Sequence, residues 1–148
     1  MGNRAVISTE DKQIGVYLHW NGGRDSVEAF LTYCKLKGYR PPEQDSYGWA
    51  RLCQIIGNFF GGDLSLGIDK FEKLDYDNWN NGTYIIKNWE IVGRQYIHSN
   101  DDYEFEEQQE YDLKDMLLDI NERQPQHDQL PTETIEEYLK IKERGFKQ

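Results

Sequence analysis

The sequence has few of the residues from which metal sites and disulfide frameworks are built. It contains two cysteines and three histidines in 148 residues. Cys34 and Cys53 are 19 positions apart, and the histidines are scattered, so no standard zinc spacing can be assembled. Both cysteines fall within apolar helical patterns, which indicates buried free thiols. We therefore expect no metal and no cofactor.

Several catalytic and targeting motifs are also missing. The chain has no Gly-x-Ser-x-Gly sequence of a serine hydrolase, no P-loop and no calcium-binding loop. No apolar run approaches the roughly 18 residues that a membrane-spanning helix needs. The first residues do not show a basic segment followed by an apolar stretch of secretory type. We expect a cytoplasmic protein that does not engage a membrane.

Negative charge, in contrast, is concentrated in one segment. The formal net charge is −10, and −9 of it falls on residues 101–122, where ten carboxylates accompany a single base, Lys114. A segment this acidic repels nucleic acid and anionic membranes, and it attracts proteins that present a basic groove. Its carboxylates are Asp101, Asp102, Glu104, Glu106, Glu107, Glu110, Asp112, Asp115, Asp119 and Glu122.

The C-terminal half of the acidic segment has the pattern of a folded helix. An apolar face with i, i+3, i+4, i+7 spacing consists of Leu113, Met116, Leu117 and Ile120. A second, acidic stripe consists of Asp112, Asp115, Asp119 and Glu122. Successive carboxylates lie roughly 5 Å apart along such a helix, which is comparable with the spacing of phosphates along a nucleic-acid strand. The alternative interpretation is a solvated or disordered acidic stretch.

The remainder of the chain alternates between β-prone and helical patterns. Strands are predicted near residues 4–9, 14–20, 64–68, 84–86 and 89–97, with a tight turn at Lys87 and Asn88. Three further helices are expected. The first has Asp25 as N-cap and stops at Gly38, the second has Asp45 or Ser46 as N-cap and ends at Gly61, and the third opens at Pro131 and has Gly145 as C-cap.

This irregular alternation favours an α+β fold, with a small antiparallel sheet packed against about four helices in a single domain. Residues 1–98 would form the core. Residues 99–123 would supply the acidic segment with its helix, and residues 124–148 a polar linker and a C-terminal helix.

A second candidate site combines a glycine-rich turn with aromatic and basic side chains. A turn before a helix can hold an anion on its backbone amides, aromatic rings among asparagines can stack a nucleobase, and arginines can contact phosphate. The structural alternatives are an ordinary strand-to-helix turn and rings half-buried against the sheet. The residues concerned are Gly22, Gly23, Arg24, Trp79, Trp89 and Arg94.

A third possibility is an enzyme in which His19 activates the Cys34 thiol. Only the residue types support it, and Cys34 falls on the apolar face of its predicted helix. We therefore expect a protein without catalytic residues.

Three stretches resemble small accessory proteins carried by phages and integrative elements of Gram-positive bacteria. The stretches are residues 15–31, 47–52 and 89–94, with the sequences GVYLHWNGGRDSVEAFL, YGWARL and WEIVGR. The resemblance covers roughly residues 1–97. It implies a context of counter-defence inside a host cell, of the anti-CRISPR or antirestriction type.

Charge and context together predict a non-enzymatic inhibitor that mimics DNA and occupies the nucleic-acid site of a defence nuclease. The acidic segment would make the contact, with Tyr103, Phe105 and Tyr111 as anchors. The partner would be a basic nucleic-acid-binding protein rather than nucleic acid itself. The alternative function is a binding protein that sequesters a nucleotide signal through the second candidate site. The sequence leaves the oligomeric state open.

Overall fold

The computed structural model describes residues 3–61, 65–78, 80–96 and 112–146, and it describes side chains through residue 142. Five strands and four helices follow one another along these residues. In chain order they are β1 (Ala5–Ser8), β2 (Ile14–Leu18), α1 (Arg24–Leu36), α2 (Ser46–Phe60), β3 (Leu66–Lys70), β4 (Thr83–Lys87), β5 (Glu90–Gln95), α3 (Leu113–Glu122) and α4 (Thr132–Phe146).

The strands form one mixed sheet in the order β3-β2-β1-β4-β5. The α+β class is confirmed, but the prediction of a purely antiparallel sheet was wrong. Strands β1 and β4 pair in parallel, with Val6 opposite Thr83, whereas the other three pairs are antiparallel. Parallel neighbours require a long crossover connection, and here that connection contains both α1 and α2.

One face of the sheet packs against helices to form the core. Helix α1 contacts α2, α3 and β5, and α2 also contacts β3. Phe30 of α1 meets Phe59 of α2 edge to face, with ring centres 5.5 Å apart. Successive residues of a strand face opposite sides, and the residues of β1 and β2 that face this core are Ala5, Ile7, Val16 and Leu18.

The first two helices begin in different ways. The N-cap of helix α1 lies two residues earlier than predicted, because Gly23 is the N-cap and Asp25 lies in the first turn. The Asp25 carboxylate accepts a hydrogen bond from the Ser26 N–H at 2.8 Å instead of capping the helix. For α2 the predicted Asp45 cap is confirmed, since its carboxylate accepts from the Tyr47 N–H at 2.9 Å.

The hairpin between β4 and β5 turns one residue later than predicted. Its turn residues are Asn88 and Trp89, with φ of 52° and 63°. Two consecutive residues with positive φ match the type I′ turn that suits the twist of a hairpin. Trp89 therefore belongs to the turn and not to β5, and its ring folds back onto the core with 3% of its surface exposed.

The C-terminal region contacts α1, α2 and α3. The predicted polar linker includes a short 3₁₀ turn (Gln126–Asp128) and a buried Gln124, whose amide donates to the Ile55 carbonyl at 3.1 Å. The prediction that Gly145 caps the last helix was wrong, because α4 continues through Gly145. None of the described helices has the length and apolar character needed to cross a membrane.

Candidate functional site

The acidic helix α3 is capped by one of its own predicted site residues. Asp112 is the N-cap, and its carboxylate accepts a hydrogen bond from the Asp115 N–H at 3.0 Å. This backbone hydrogen bond lowers the pKa of Asp112, whereas the side-chain hydrogen bond to Asp112 raises the pKa of Asp115. The hydrogen bonds at the start of the helix therefore favour the charged form of Asp112 and the protonated form of Asp115.

The opposite face of α3 is anchored in the core. Leu117 and Ile120 have no exposed surface. Asn121 accepts a hydrogen bond from the Tyr33 O–H at 2.6 Å and another from the Leu130 N–H at 2.8 Å. Because these contacts fix the rotation of the helix, they also fix the direction in which its acidic side chains point.

The four carboxylates of α3 lie on its outward side. Asp112, Asp115 and Glu122 are exposed, and Asp119 is half-buried. Asp119 pairs with Arg123 at 3.3 Å, one helical turn further on. Only part of the acidic stripe is therefore neutralised by a neighbouring base, and the other three carboxylates face solvent.

Most of the predicted partner-binding residues lie outside the described part of the chain. This holds for six carboxylates and three aromatic residues of the acidic segment, and for Trp79 of the second candidate site. The nine acidic-segment residues are Asp101, Asp102, Glu104, Glu106, Glu107, Glu110, Tyr103, Phe105 and Tyr111.

The backbone groups of Gly22, in the glycine-rich turn of the second candidate site, are already hydrogen-bonded within the protein. The Gly22 N–H donates to the Asn3 carbonyl at 2.8 Å, and the Gly22 carbonyl accepts from the Tyr84 O–H at 2.7 Å. A Cβ at Gly22 would lie 2.5 Å from the Asn3 carbonyl oxygen. This glycine is thus required for the close approach of the turn to the N-terminal residues, while Gly23 caps α1.

Arg94 lies against the neighbouring strand. Its guanidinium stacks 3.8 Å above the ring of Tyr84, and it donates to the Asn81 carbonyl at 2.9 Å. A guanidinium held flat on an aromatic ring is stabilised both by cation–π attraction and by apolar contact. Arg94 therefore joins β4 and β5. It does not line the groove between α1, α4 and the start of β5.

Two residues of the second candidate site do meet. Arg24 and Trp89 line a groove of about 360 Å³ between α1, α4 and the start of β5. Trp89 is held in place there by a hydrogen bond from its Nε1 to the Tyr39 carbonyl, 2.8 Å away. The remaining lining residues are Glu28, Leu31, Thr32, Lys35, Glu90, Ile91, Tyr138 and Lys142.

Charged side chains pair across this groove. Lys142 of α4 lies 3.1 Å from Glu28 Oε1 of α1, and both side chains are largely buried. Lys35 lies 3.4 Å from Glu90 at a more exposed position. The second oxygen, Glu28 Oε2, is buried and has no hydrogen-bond donor among the described residues. A buried acceptor without a donor costs about 1–3 kcal/mol, so Oε2 favours any water or ligand that can donate to it.

Sequence reasoning missed Glu28, Lys35 and Lys142. A signal for the first two exists, because Arg24, Glu28 and Lys35 recur at helical spacing and share one face of α1. Lys142 has no comparable signal, since its position depends on how α4 packs.

The thiol–imidazole pair is not formed in the described structure. Cys34 lies in the core, where burial raises the pKa of its thiol. His19 Nδ1 is instead 3.0 Å from the Tyr17 hydroxyl. Within the described residues there is also no cluster of three or more side chains suited to hold a metal ion.

Comparisons of the chain with protein-family models, with curated proteins and with solved structures give no match.

Proposed function

We propose that the protein is a non-enzymatic inhibitor that occupies the nucleic-acid site of a defence nuclease in place of DNA. The observation that carries this proposal is the arrangement of α3. Its buried residues Leu117 and Ile120 hold the helix, and Asp112, Asp115 and Glu122 face solvent on the other side.

An ordered row of carboxylates suits the chemistry of a DNA-binding channel. Such channels present lysine and arginine side chains that contact phosphates, and carboxylates can make the same charge-assisted hydrogen bonds. A helix fixed in the core presents its charges without a large loss of conformational entropy on binding. In sequence, the row continues into six further carboxylates between residues 101 and 110.

The choice of a defence nuclease as partner rests on sequence resemblance. The resemblance to accessory proteins of phages and integrative elements supports a counter-defence role, in which a small acidic protein blocks a host nuclease. The charge of the acidic segment supports a basic partner in general.

The test uses a variant that reverses charge and keeps the helix cap. Asp115→Lys with Glu122→Lys changes two exposed residues and leaves both the Asp112 cap and the Asp119–Arg123 pair in place. Immobilised wild-type protein should retain a nucleic-acid-binding protein from a bacterial host lysate. Retention should weaken at least tenfold between roughly 50 and 200 mM salt, and the variant should retain none of this protein.

A matched control carries the same change in net charge elsewhere. Glu10→Lys with Glu72→Lys alters two exposed residues of the β1–β2 turn and of the segment after β3. This control should bind like the wild type, and thermal melting should show that both variants are folded. Equal retention by wild type and by the α3 variant would contradict the proposal.

A further inference from the structure

We propose that the groove between α1, α4 and β5 binds a nucleotide whose base carries an exocyclic amino group. This site is separate from the acidic surface of α3, since none of the groove's described lining residues belongs to α3. It overlaps in part with the ligand site predicted from sequence, because Arg24 and Trp89 line it, whereas Gly22, Gly23 and Arg94 do not.

Glu28 is the group that selects a hydrogen-bond donor. Lys142 donates a hydrogen bond to Oε1 of this carboxylate at 3.1 Å, and this contact orients the carboxylate. Glu28 lines the groove, and its Oε2 is buried and receives no hydrogen bond from the described residues. An amino group on a base edge provides the missing N–H. A uracil ring serves less well, because its N–H lies between two carbonyl oxygens that the carboxylate repels.

Cationic side chains supply the complementary contact for a phosphate. Three cationic residues line the groove against two carboxylates, although the whole chain carries −10. Lys35 lies two helical turns from Glu28 on the same face of α1, a separation of about 10 Å along the axis. One nucleotide can span that distance from base edge to phosphate. The Lys35–Glu90 ion pair is partly exposed, so it can break at little cost. The more exposed Glu90 carboxylate then turns into solvent while Lys35 contacts the phosphate.

Apolar and aromatic residues form part of the groove lining. They include Tyr138 of α4 and the almost fully buried Leu31 and Trp89. Because the Trp89 ring is tied to the Tyr39 carbonyl, this part of the lining is held in place. The volume of about 360 Å³ is within the range of small-molecule sites.

The test is calorimetric titration of the full chain with AMP, GMP, CMP, UMP, ribose 5-phosphate and inorganic phosphate. At least one nucleotide with an amino group should bind about tenfold more tightly than UMP and ribose 5-phosphate. If ribose 5-phosphate binds as tightly as every nucleotide, or if no nucleotide binds with a Kd below about 1 mM, the proposal is wrong.

Two variants separate the two halves of the site. Glu28→Gln keeps an oxygen for Lys142 and turns an N–H toward the groove, so the preference for an amino group over UMP should disappear while ribose 5-phosphate binds as before. Lys35→Ala should weaken every phosphate ligand about tenfold. Lys73→Ala, an exposed lysine elsewhere, should change nothing.

Binding that is unaffected by both groove variants would overturn the assignment, and thermal melting confirms that each variant is folded. Neither groove variant changes the α3 surface, so they should retain the protein partner like the wild type. A negative titration would therefore leave the inhibitor proposal untouched.

Discussion

A buried hydrogen-bond cluster joins α1, α3 and the residue that precedes α4. Tyr33 of α1 donates to Asn121 of α3, and Asn121 exchanges two hydrogen bonds with the backbone of Leu130, just before α4. Tyr33 has no exposed surface, and burial raises the pKa of its hydroxyl to about 12. The acidic helix is thus positioned by a neutral phenol that donates a hydrogen bond.

Tyr33→Phe should lower the free energy of unfolding by about 1 kcal/mol at neutral pH, because one buried hydrogen bond is lost. The pH dependence follows from the raised pKa. The stabilisation by Tyr33 is complete below the unfolded pKa of about 10 and is lost as pH rises toward 12, since the unfolded state releases the proton first. Urea denaturation between pH 7 and 11.5 measures both effects.

The stability of the Tyr33→Phe variant should fall less steeply than that of the wild type above pH 10. Tyr47→Phe is the control, because 65% of the surface of Tyr47 is exposed and its loss should leave both stability and pH profile unchanged. Parallel profiles for wild type and Tyr33→Phe would show that Tyr33 does not retain its proton in the folded state.

The start of α3 depends on its N-cap residue. Asp112 satisfies the Asp115 N–H, which would otherwise be an unpartnered donor in the first turn. Asp112→Ala should therefore lower Tm and speed amide exchange at residues 113–116, whereas Asp112→Asn should retain the cap, because asparagine also accepts this hydrogen bond.

Acidification should separate wild type from Asp112→Asn. The lowered pKa of Asp112 means that its stabilisation is present above the ordinary carboxyl pKa and is lost as pH falls through the lowered value. The asparagine variant has no such transition at this position. Equal exchange rates in the alanine and asparagine variants would contradict the assigned role of the cap.

The predictability of each element follows from the range of the interactions that define it. The α3 pattern is local, so its apolar face and the Asp45 cap of α2 could be predicted from neighbouring residues. The parallel pairing of β1 with β4 could not, because it joins residues about 80 positions apart through a crossover. The turn at Trp89 was predicted one residue too early, because a bulky residue seldom adopts a positive φ.

The molecule has two surfaces of opposite charge. The net charge of −10 includes an acidic helix that faces solvent and a groove whose lining is slightly cationic. Sequence reasoning identified Arg24 and Trp89 separately, but only the packing of α1 against β5 places them in one groove. Lys142 lines the same groove because of how α4 packs, and the packing position of α4 could not be predicted from the sequence pattern.

Occupation of the partner's nucleic-acid site by the acidic surface can be tested by competition. If the protein takes the place of DNA, then its complex with the captured partner and the partner's complex with duplex DNA must exclude each other. Fluorescence anisotropy of a labelled duplex, bound to the purified partner and titrated with this protein, measures that exclusion directly.

Wild-type protein should release the duplex completely at a salt concentration at which the partner alone keeps it bound. The variant Asp115→Lys with Glu122→Lys should need at least about ten times more protein for the same release, whereas Glu10→Lys with Glu72→Lys should match the wild type. Capture of the partner with the duplex still bound, or equal release by the α3 variant, would show that the protein does not take the place of DNA.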